Sequence, residues 1–595
     1  MSSSESFSSI NPSELGCGTF LPSRDDEPDI ECAASPPTAT SSTRLILEPT
    51  ANSHGPHHDH DHDPTSPHPP QVHHDQPPDR LARALRQRHL SMLGIAGSIG
   101  TGLFLGLGLA VRRGGPLGAL LGYAAIGLTV CAVQFALGET AALMPLTGSF
   151  VRHAEVLVDP AWGFAVGWNL VYGNLLSIPS EAVAVVVLVR FWGGWEGFGE
   201  KGQAAVVLAV FVFVTVGVGM AGVRVFGEVE FWFALVKIGL VVFLIVLGLV
   251  INLGGVPGTE RIGFRYWRDP GPFVEYIAAG DWGKILGFWA VLTGAVFSFA
   301  GVESLAMAAA ETRNPHETIP RACKRVFARI VIFYMLAVLV VGMLVASNDP
   351  RLDGSGSSVA QSPFVIAASQ ASISAVPSVV NAVVITSAWS ASNQSLLTGT
   401  RVLYGLALKG QAPSFFLRTT SWGTPYMCVL LFAAFMFLSF MSMSESAITV
   451  FWWLVALTAA GVLVSWSTIL LNHIRLVQAM KRQGIDAGRL PWHNWWTNYS
   501  SPAGLFMCIT ILLTSGFSVF TQGNWDAAKF VSSYLDIPIV LTAYMFWKLF
   551  RNTKVISLDD IPLEDIFKQA EQYYPYETPL KKTHSWLRII SWIWK

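Results

Sequence analysis

Three observations predict an all-α integral membrane protein with twelve transmembrane helices. Of 595 residues, 51% are hydrophobic and only 13% are charged, about half the charge of an average soluble domain. Apolar stretches long enough to cross a bilayer, about 20 residues each, recur twelve times. They fall at approximately 89–111, 116–144, 162–190, 204–223, 231–253, 285–310, 327–347, 370–400, 424–442, 446–472, 503–522 and 534–551. Finally, lysine and arginine concentrate on alternate connections, as the positive-inside bias requires.

The segment boundaries follow from local punctuation. "VRRGGP" closes the first segment, "MPLTGSF" the second and "SNDPRLDGSG" the seventh, each a cluster of turn formers or charge. With the N-terminus in the cytoplasm, the inside connections hold Arg80, Arg83, Arg86 and Arg88, then Arg313, Arg321, Lys324 and Arg325. The outside connections hold fewer, mainly Arg112, Arg113, Lys201, Arg261, Arg265 and Arg268. Both termini are therefore expected in the cytoplasm, with the lipid bilayer as the main partner. Residues 80–551 form the membrane domain.

Residues 1–79 are rich in Ser, Pro, Asp and His without an apolar run, a composition expected to be disordered. The tract His54 to His74 contains eight histidines but no repeated spacing, so a solvated tail is expected rather than a metal site. Residues 552–595 mix charge with Trp586, Trp592 and Trp594 and read as a cytoplasmic C-terminal tail, either packed as a cap or lying on the membrane. The six cysteines show neither disulfide nor zinc spacing, and no cofactor is implied. A net charge of −1 leaves no basic excess for nucleic acid.

Two of the apolar segments are built to break. The first contains "LGIAGSIGTGLFLGLG", with glycine at 94, 97, 100, 102, 106 and 108, and glycine in a helix interior costs about 1 kcal/mol relative to alanine. The sixth reads "GAVFSFAGVESLAMAAAE", with Gly301 at its centre. Five helices apart, the two run in opposite directions, which is the mark of an inverted-repeat transporter whose substrate binds where both unwind. A helix N-terminus at mid-membrane offers free N–H groups and partial positive charge to a carboxylate. The carbonyls ending the opposite half-helix suit an ammonium. Together they describe a site for an α-amino acid zwitterion. Close packing of small residues accounts equally well for Gly94, Gly106 and Gly108.

"RHLSMLGIAGSIGTGLFLG" and "FSFAGVESLAMAAAETRNPHETIPRACKRV" resemble helix 1 and helix 6 of the fungal amino-acid permeases, the yeast amino-acid transporter group of the amino acid–polyamine–organocation superfamily. "LGETAALMPLTGSF", "DPAWGFAVGWN" and "SAWSASNQSLLTGTRVLYGLALKGQAP" are similar to further blocks, and the resemblance runs from about Leu85 to Arg551. It implies a five-plus-five inverted-repeat core plus two C-terminal helices. By motif, Gly97, Ser98, Gly100, Thr101 and Gly102 should surround the substrate carboxylate. The carbonyls of Phe297, Ser298 and Ala300 should meet its amino group. Val302 departs from the family's usual Thr or Ser before the helix 6 glutamate.

Intramembrane ionisable residues are functional hypotheses by default. Lys237 is the only charge in about twenty apolar residues, and buried there it suits taking up and releasing a proton. The resemblance implies the same, since proton-coupled relatives carry a lysine at this point of helix 5. Glu303 follows the helix 6 break and has three readings: substrate contact, proton coupling, or a bond to the unwound backbone. Glu139 in "LGETAALMP" and Glu181 after Pro179 read as gating or structural groups. Asn393, with Ser390 and Ser392, either completes the coupling site with Lys237 or packs helix against helix.

The function expected is a plasma-membrane amino-acid permease, not an enzyme, that takes up its substrate with protons by alternating access. A sensor on the same fold is the alternative. Neutral, acidic and general substrates all remain open.

Overall fold

The computed structural model describes residues 100–146, 148–192, 199–303, 319, 323–324, 330–352 and 362–573. The expectations for the N-terminal tail, for Gly97 and Ser98, and for 574–595 lie outside the described residues. Every regular element among them is helical. Seven helices are long and apolar enough to cross a membrane, and an eighth span forms if one bent pair is counted together.

Helix α1, Thr101–Leu143, runs through two of the expected segments. At 43 residues it would be about 65 Å long if straight, twice the thickness of a bilayer core. It divides at Gly115, whose φ of +76° is left-handed, just before Pro116. A side chain here would strike the Pro272 carbonyl at 2.6 Å, so glycine is required on two counts. The "VRRGGP" punctuation thus marks a bend within α1.

After the short helix α2, Ser149–Leu157, helix α3 spans Pro160–Val189. Its start is set by Asp159, whose carboxylate accepts the Ala161 amide at 2.9 Å, and by Pro160 at the first helical position. Helices α4, Gly199–Met220, and α5, Val223–Asn252, follow. Then come α6, Gly280–Ser298; α7, Leu336–Leu344; α8, Pro363–Gln370; and α9, Ala375–Leu408. The chain continues through α10, Tyr426–Met436; α11, Ala447–Arg482; and α12, Thr497–Thr514. Helices α13, Ala527–Tyr534, and α14, Asp536–Arg551, meet at a 44° bend. Helix α15, Leu563–Tyr573, comes last among the described residues.

Burial separates inner helices from outer ones. The apolar windows of α1 and α3 are 72% and 78% buried, but that of α4 only 28%. Phe213 on α4 and Trp232 on α5 are largely exposed, apolar surface that lipid covers. The inner set is α1 packed on α6, and α3 packed on both α9 and α11.

At one end of the bundle, residues 552–573 are docked rather than loose. The Ile556 amide donates to the Val158 carbonyl at 3.0 Å, and Arg475 donates to the carbonyls of Leu157 and Ile556. Ile561, Leu563 and Phe567 bury themselves against Leu157, Leu476, Met480 and Leu490. Of the two readings of this region, the part described is a packed cap. Asp159 pins it, accepting from Lys548 Nζ at 2.5 Å, from the Tyr544 hydroxyl at 3.1 Å and from the Thr553 hydroxyl at 2.9 Å. Burial alone would raise the pKa of this carboxyl, but Lys548, the Ala161 amide and the two hydroxyls outweigh it and hold it below the usual range. Its stabilisation is therefore complete above the unfolded value near 4 and lost as pH falls through the lower folded one. Asp159→Asn is expected to cost about 2 kcal/mol. In detergent it should lower the melting temperature and speed tryptic cleavage at Lys554. Unchanged cleavage would show that the cap is held without Asp159.

Candidate functional site

Two helix ends meet inside the bundle. Gly100 is extended, with φ −121° and ψ −164°, and α1 begins at Thr101 without a side-chain cap. Gly100 itself offers the first-turn N–H groups no side-chain acceptor. From the opposite side, α6 ends at Ser298, and the chain turns through Phe299 to Glu303 with Gly301 in the left-handed region at φ +91°. A Cβ added at Gly102 would lie 2.9 Å from Phe297 Cδ1 and 3.0 Å from Ser298 Cα. Glycine here lets the two helix ends touch.

A cleft opens beside this contact. The two helix ends contribute Gly100, Gly102, Phe297, Ala300, Gly301 and Glu303 to its wall. Helix α3 adds Asn169, Asn174, Ser177 and Glu181, α9 adds Gln394 and Ser395, and α11 adds Thr458, Gly461 and Ser465. Apart from Glu181, these polar groups on α3, α9 and α11 escaped the sequence reading. Single Asn, Ser and Thr residues in apolar helices give no spacing signal, and only packing brings them together.

Of the residues expected around a substrate carboxylate, Gly100 and Gly102 line the cleft. Thr101 lies fully buried behind them, and its hydroxyl donates to Glu181 Oε2 at 2.9 Å. The carbonyls expected to meet an amino group are arranged differently. Ser298 does not line the cleft: its carbonyl accepts the Tyr334 hydroxyl at 2.7 Å, and its own hydroxyl pairs with Tyr123 at 3.0 Å. The Phe297 carbonyl accepts the Ala300 amide at 3.1 Å. A helix end tightens in this way to satisfy its last carbonyls, so Ser298 and Phe297 each arrive with one lone pair already used.

Of its three readings, Glu303 displays the backbone one. Its carboxylate accepts the Gly301 amide at 3.2 Å and the Trp466 indole N–H at 3.1 Å. Gln134 supports the same turn by donating to the Val302 carbonyl at 2.9 Å.

Lys237 is completely buried, but it is not alone. Its Nζ lies 3.7 Å from Glu230 Oε1, and Glu230 Oε2 accepts the Ser390 hydroxyl at 2.5 Å. Glu181 is close enough for its charge to act on Lys237. Glu230 is the residue the sequence reading missed, and its signal was present. Seven residues make two helical turns, so Glu230 and Lys237 share one face of α5.

Asn393 is not part of this cluster. It lines a separate cavity of about 450 Å³ beside Val218, Gly219 and Thr424, and neither polar atom of its side chain has a partner. The register of α9 turns Ser390, three residues earlier, toward Glu230 instead. Glu139 lies away from the cleft and ties three segments together. It is bonded to His473 at 2.8 Å, to the Asn494 amide at 2.8 Å and to His493 at 3.4 Å.

The site is therefore a mid-bundle cleft beside two helix ends, with a cluster of two carboxylates and one ammonium behind it. An α-carboxylate fits the α1 N-terminus, and an ammonium fits the carboxylate-bearing wall.

The family described as "Amino acid permease" matches residues 89–558. The chain is 37% identical to the dicarboxylic amino acid permease of Saccharomyces cerevisiae, over 83% of this chain and 82% of that one. It is also 37% identical to the proline-specific permease of Emericella nidulans, over 86% and 92%. Identity to cationic amino acid transporter 1 of Schizosaccharomyces pombe is 35%, over 82% of each. With helices of membrane-spanning length, two helix ends beside one cleft and a family match over most of its length, the chain belongs to the amino acid permease family of membrane transporters.

Proposed function

We propose that this permease takes up amino acids together with protons by alternating access at the plasma membrane. In this reading the fold has twelve spans in a five-plus-five inverted repeat plus two further helices, with both termini in the cytoplasm. One observation carries the transport reading: the two helix ends border a single cleft, through Gly100 and Gly102 at the start of α1 and through Phe297 and Ala300 at the end of α6. Such ends supply N–H groups for a carboxylate and leave backbone free to re-form as access changes.

The coupling reading rests on charge. With all three groups ionised, Glu181, Lys237 and Glu230 sum to one negative charge in a buried setting. Uncompensated charge there is costly, and one proton makes the cluster neutral. Glu181 is its member on the cleft wall, so the proton enters there as substrate binds. Glu181 thus has a coupling role beyond the gating one first expected, while Asn393 has a packing role.

The printed names of the three relatives cover dicarboxylic, proline and cationic substrates, so kinship does not choose the side chain. Uptake of labelled amino acids into a permease-deficient host tests the reading. Uptake that rises with an inward pH gradient is expected, and an uncoupler should abolish it. Binding without flux would overturn the reading in favour of a sensor.

A further inference from the structure

Asp536 is a carboxylate that the transport reading leaves unused. It opens α14 directly after the 44° bend at Leu535, near the middle of the paired helices α13 and α14. It has no exposed surface, and neither of its oxygens has a hydrogen-bond partner. An unpaired intramembrane carboxylate is costly to maintain and marks a site.

Its position relative to the cleft is set by Gly461. Gly461 lines the cleft, and the place its side chain would occupy lies 3.7 Å from Asp536 Oδ1 and 3.4 Å from Asn169 Oδ1. A larger residue at 461 would stand between Asp536 and the cleft. Asn169 points its amide N–H at the Gly461 carbonyl, 2.9 Å away, which leaves Oδ1 without a partner. Three unfilled acceptor oxygens thus lie around Gly461, Asn169 on the cleft wall and Asp536 behind it. Among the described residues, no Lys, Arg or His lines the cleft. The two carboxylates that do, Glu181 and Glu303, already accept hydrogen bonds.

We propose that Asp536 and Asn169 Oδ1 form a side-chain subsite for cationic amino acids, reached over Gly461. An ammonium carries three donors and a guanidinium five, with no acceptor, so either matches a pocket of acceptors alone. An acidic side chain placed there would meet the like charge of Asp536. This assignment rests on the permease reading and narrows its substrate to the lysine, ornithine and arginine class.

The test is inhibition of labelled alanine uptake by unlabelled lysine, arginine, ornithine, leucine, proline and glutamate in the full-length protein. Lysine, ornithine and arginine should inhibit best. In Asp536→Asn, the KM for lysine relative to that for alanine should rise at least about tenfold, the loss of one buried charge-assisted hydrogen bond. Gly461→Val should shift the same ratio by standing between Asp536 and the cleft. Stronger inhibition of the wild type by glutamate or proline overturns the subsite while leaving the permease reading intact. So does an unchanged lysine-to-alanine ratio in Asp536→Asn, which would mark this carboxylate as a protonated packing group. A chain that moves no amino acid at all overturns the permease reading, and the subsite with it.

Discussion

Gly102→Val is expected to cut the initial rate of amino-acid uptake by about tenfold to a hundredfold, with the protein still present at the membrane. The Cβ alone would press on Phe297 Cδ1 at 2.9 Å, Ser298 Cα at 3.0 Å and Ser298 N at 3.2 Å. Two of those three atoms are backbone, and the backbone there cannot easily yield. Ser298 is fastened on both sides, its carbonyl by Tyr334 and its hydroxyl by Tyr123. Overpacking of this kind costs about 1–3 kcal/mol, and each 1.4 kcal/mol is a factor of about ten. The cost falls on states in which the two helix ends touch, so it appears in turnover more than in folding. Gly102→Ala should give a smaller loss. Gly106→Ala serves as the reference, because its added carbon would sit 3.6 Å from the Ser298 and Tyr123 hydroxyls, an ordinary contact. Uptake normalised to surface abundance decides the matter. Wild-type turnover in Gly102→Val would mean that the α1–α6 contact is not needed for transport.

Lys237→Met is expected to remove concentrative uptake altogether. Without the ammonium, Glu230 and Glu181 share a buried region with no counter-charge. Breaking a buried pair from one side costs about 3–5 kcal/mol, so low abundance is expected as well and must be separated from lost coupling. The double variant Lys237→Met with Glu230→Gln makes that separation, since it removes both charges together. It should recover abundance, bind substrate and exchange it across the membrane. It should fail to accumulate substrate beyond equal concentrations under an inward pH gradient. Accumulation that persists in the double variant would exclude the Lys237 cluster from coupling.

Much of the helical plan was legible because lipid imposes simple rules. Length and apolarity mark a span, and glycine among apolar residues marks a break. Within the described residues, α1 starts directly after Gly100 and the turn that follows α6 has Gly301 at its left-handed position. The division at Gly115 was also written in "RRGGP", where two helical stretches meet at a kink. The contents of the site were less legible. Glu230 was hidden by its position at the edge of an apolar run, where a charge passes for a loop residue. Asn169 and Gly461 stand 292 residues apart and are joined by one hydrogen bond of 2.9 Å. No local pattern predicts such a pairing, because it depends on how α3 and α11 pack. Sequence could not separate Asn393 from Ser390: both were candidates beside Lys237, and helical register places Ser390 against Glu230 and Asn393 in a separate cavity.

The docked segment 552–573 also bears on how the bundle closes. Its apolar side chains cover Leu157, Leu476, Met480 and Leu490, which come from α2, from α11 and from the stretch after it. Until that segment is in place these residues form one uncovered apolar patch, so docking of 552–573 and closure of this end of the bundle are a single step. Asp159 is the fastening on which that step turns.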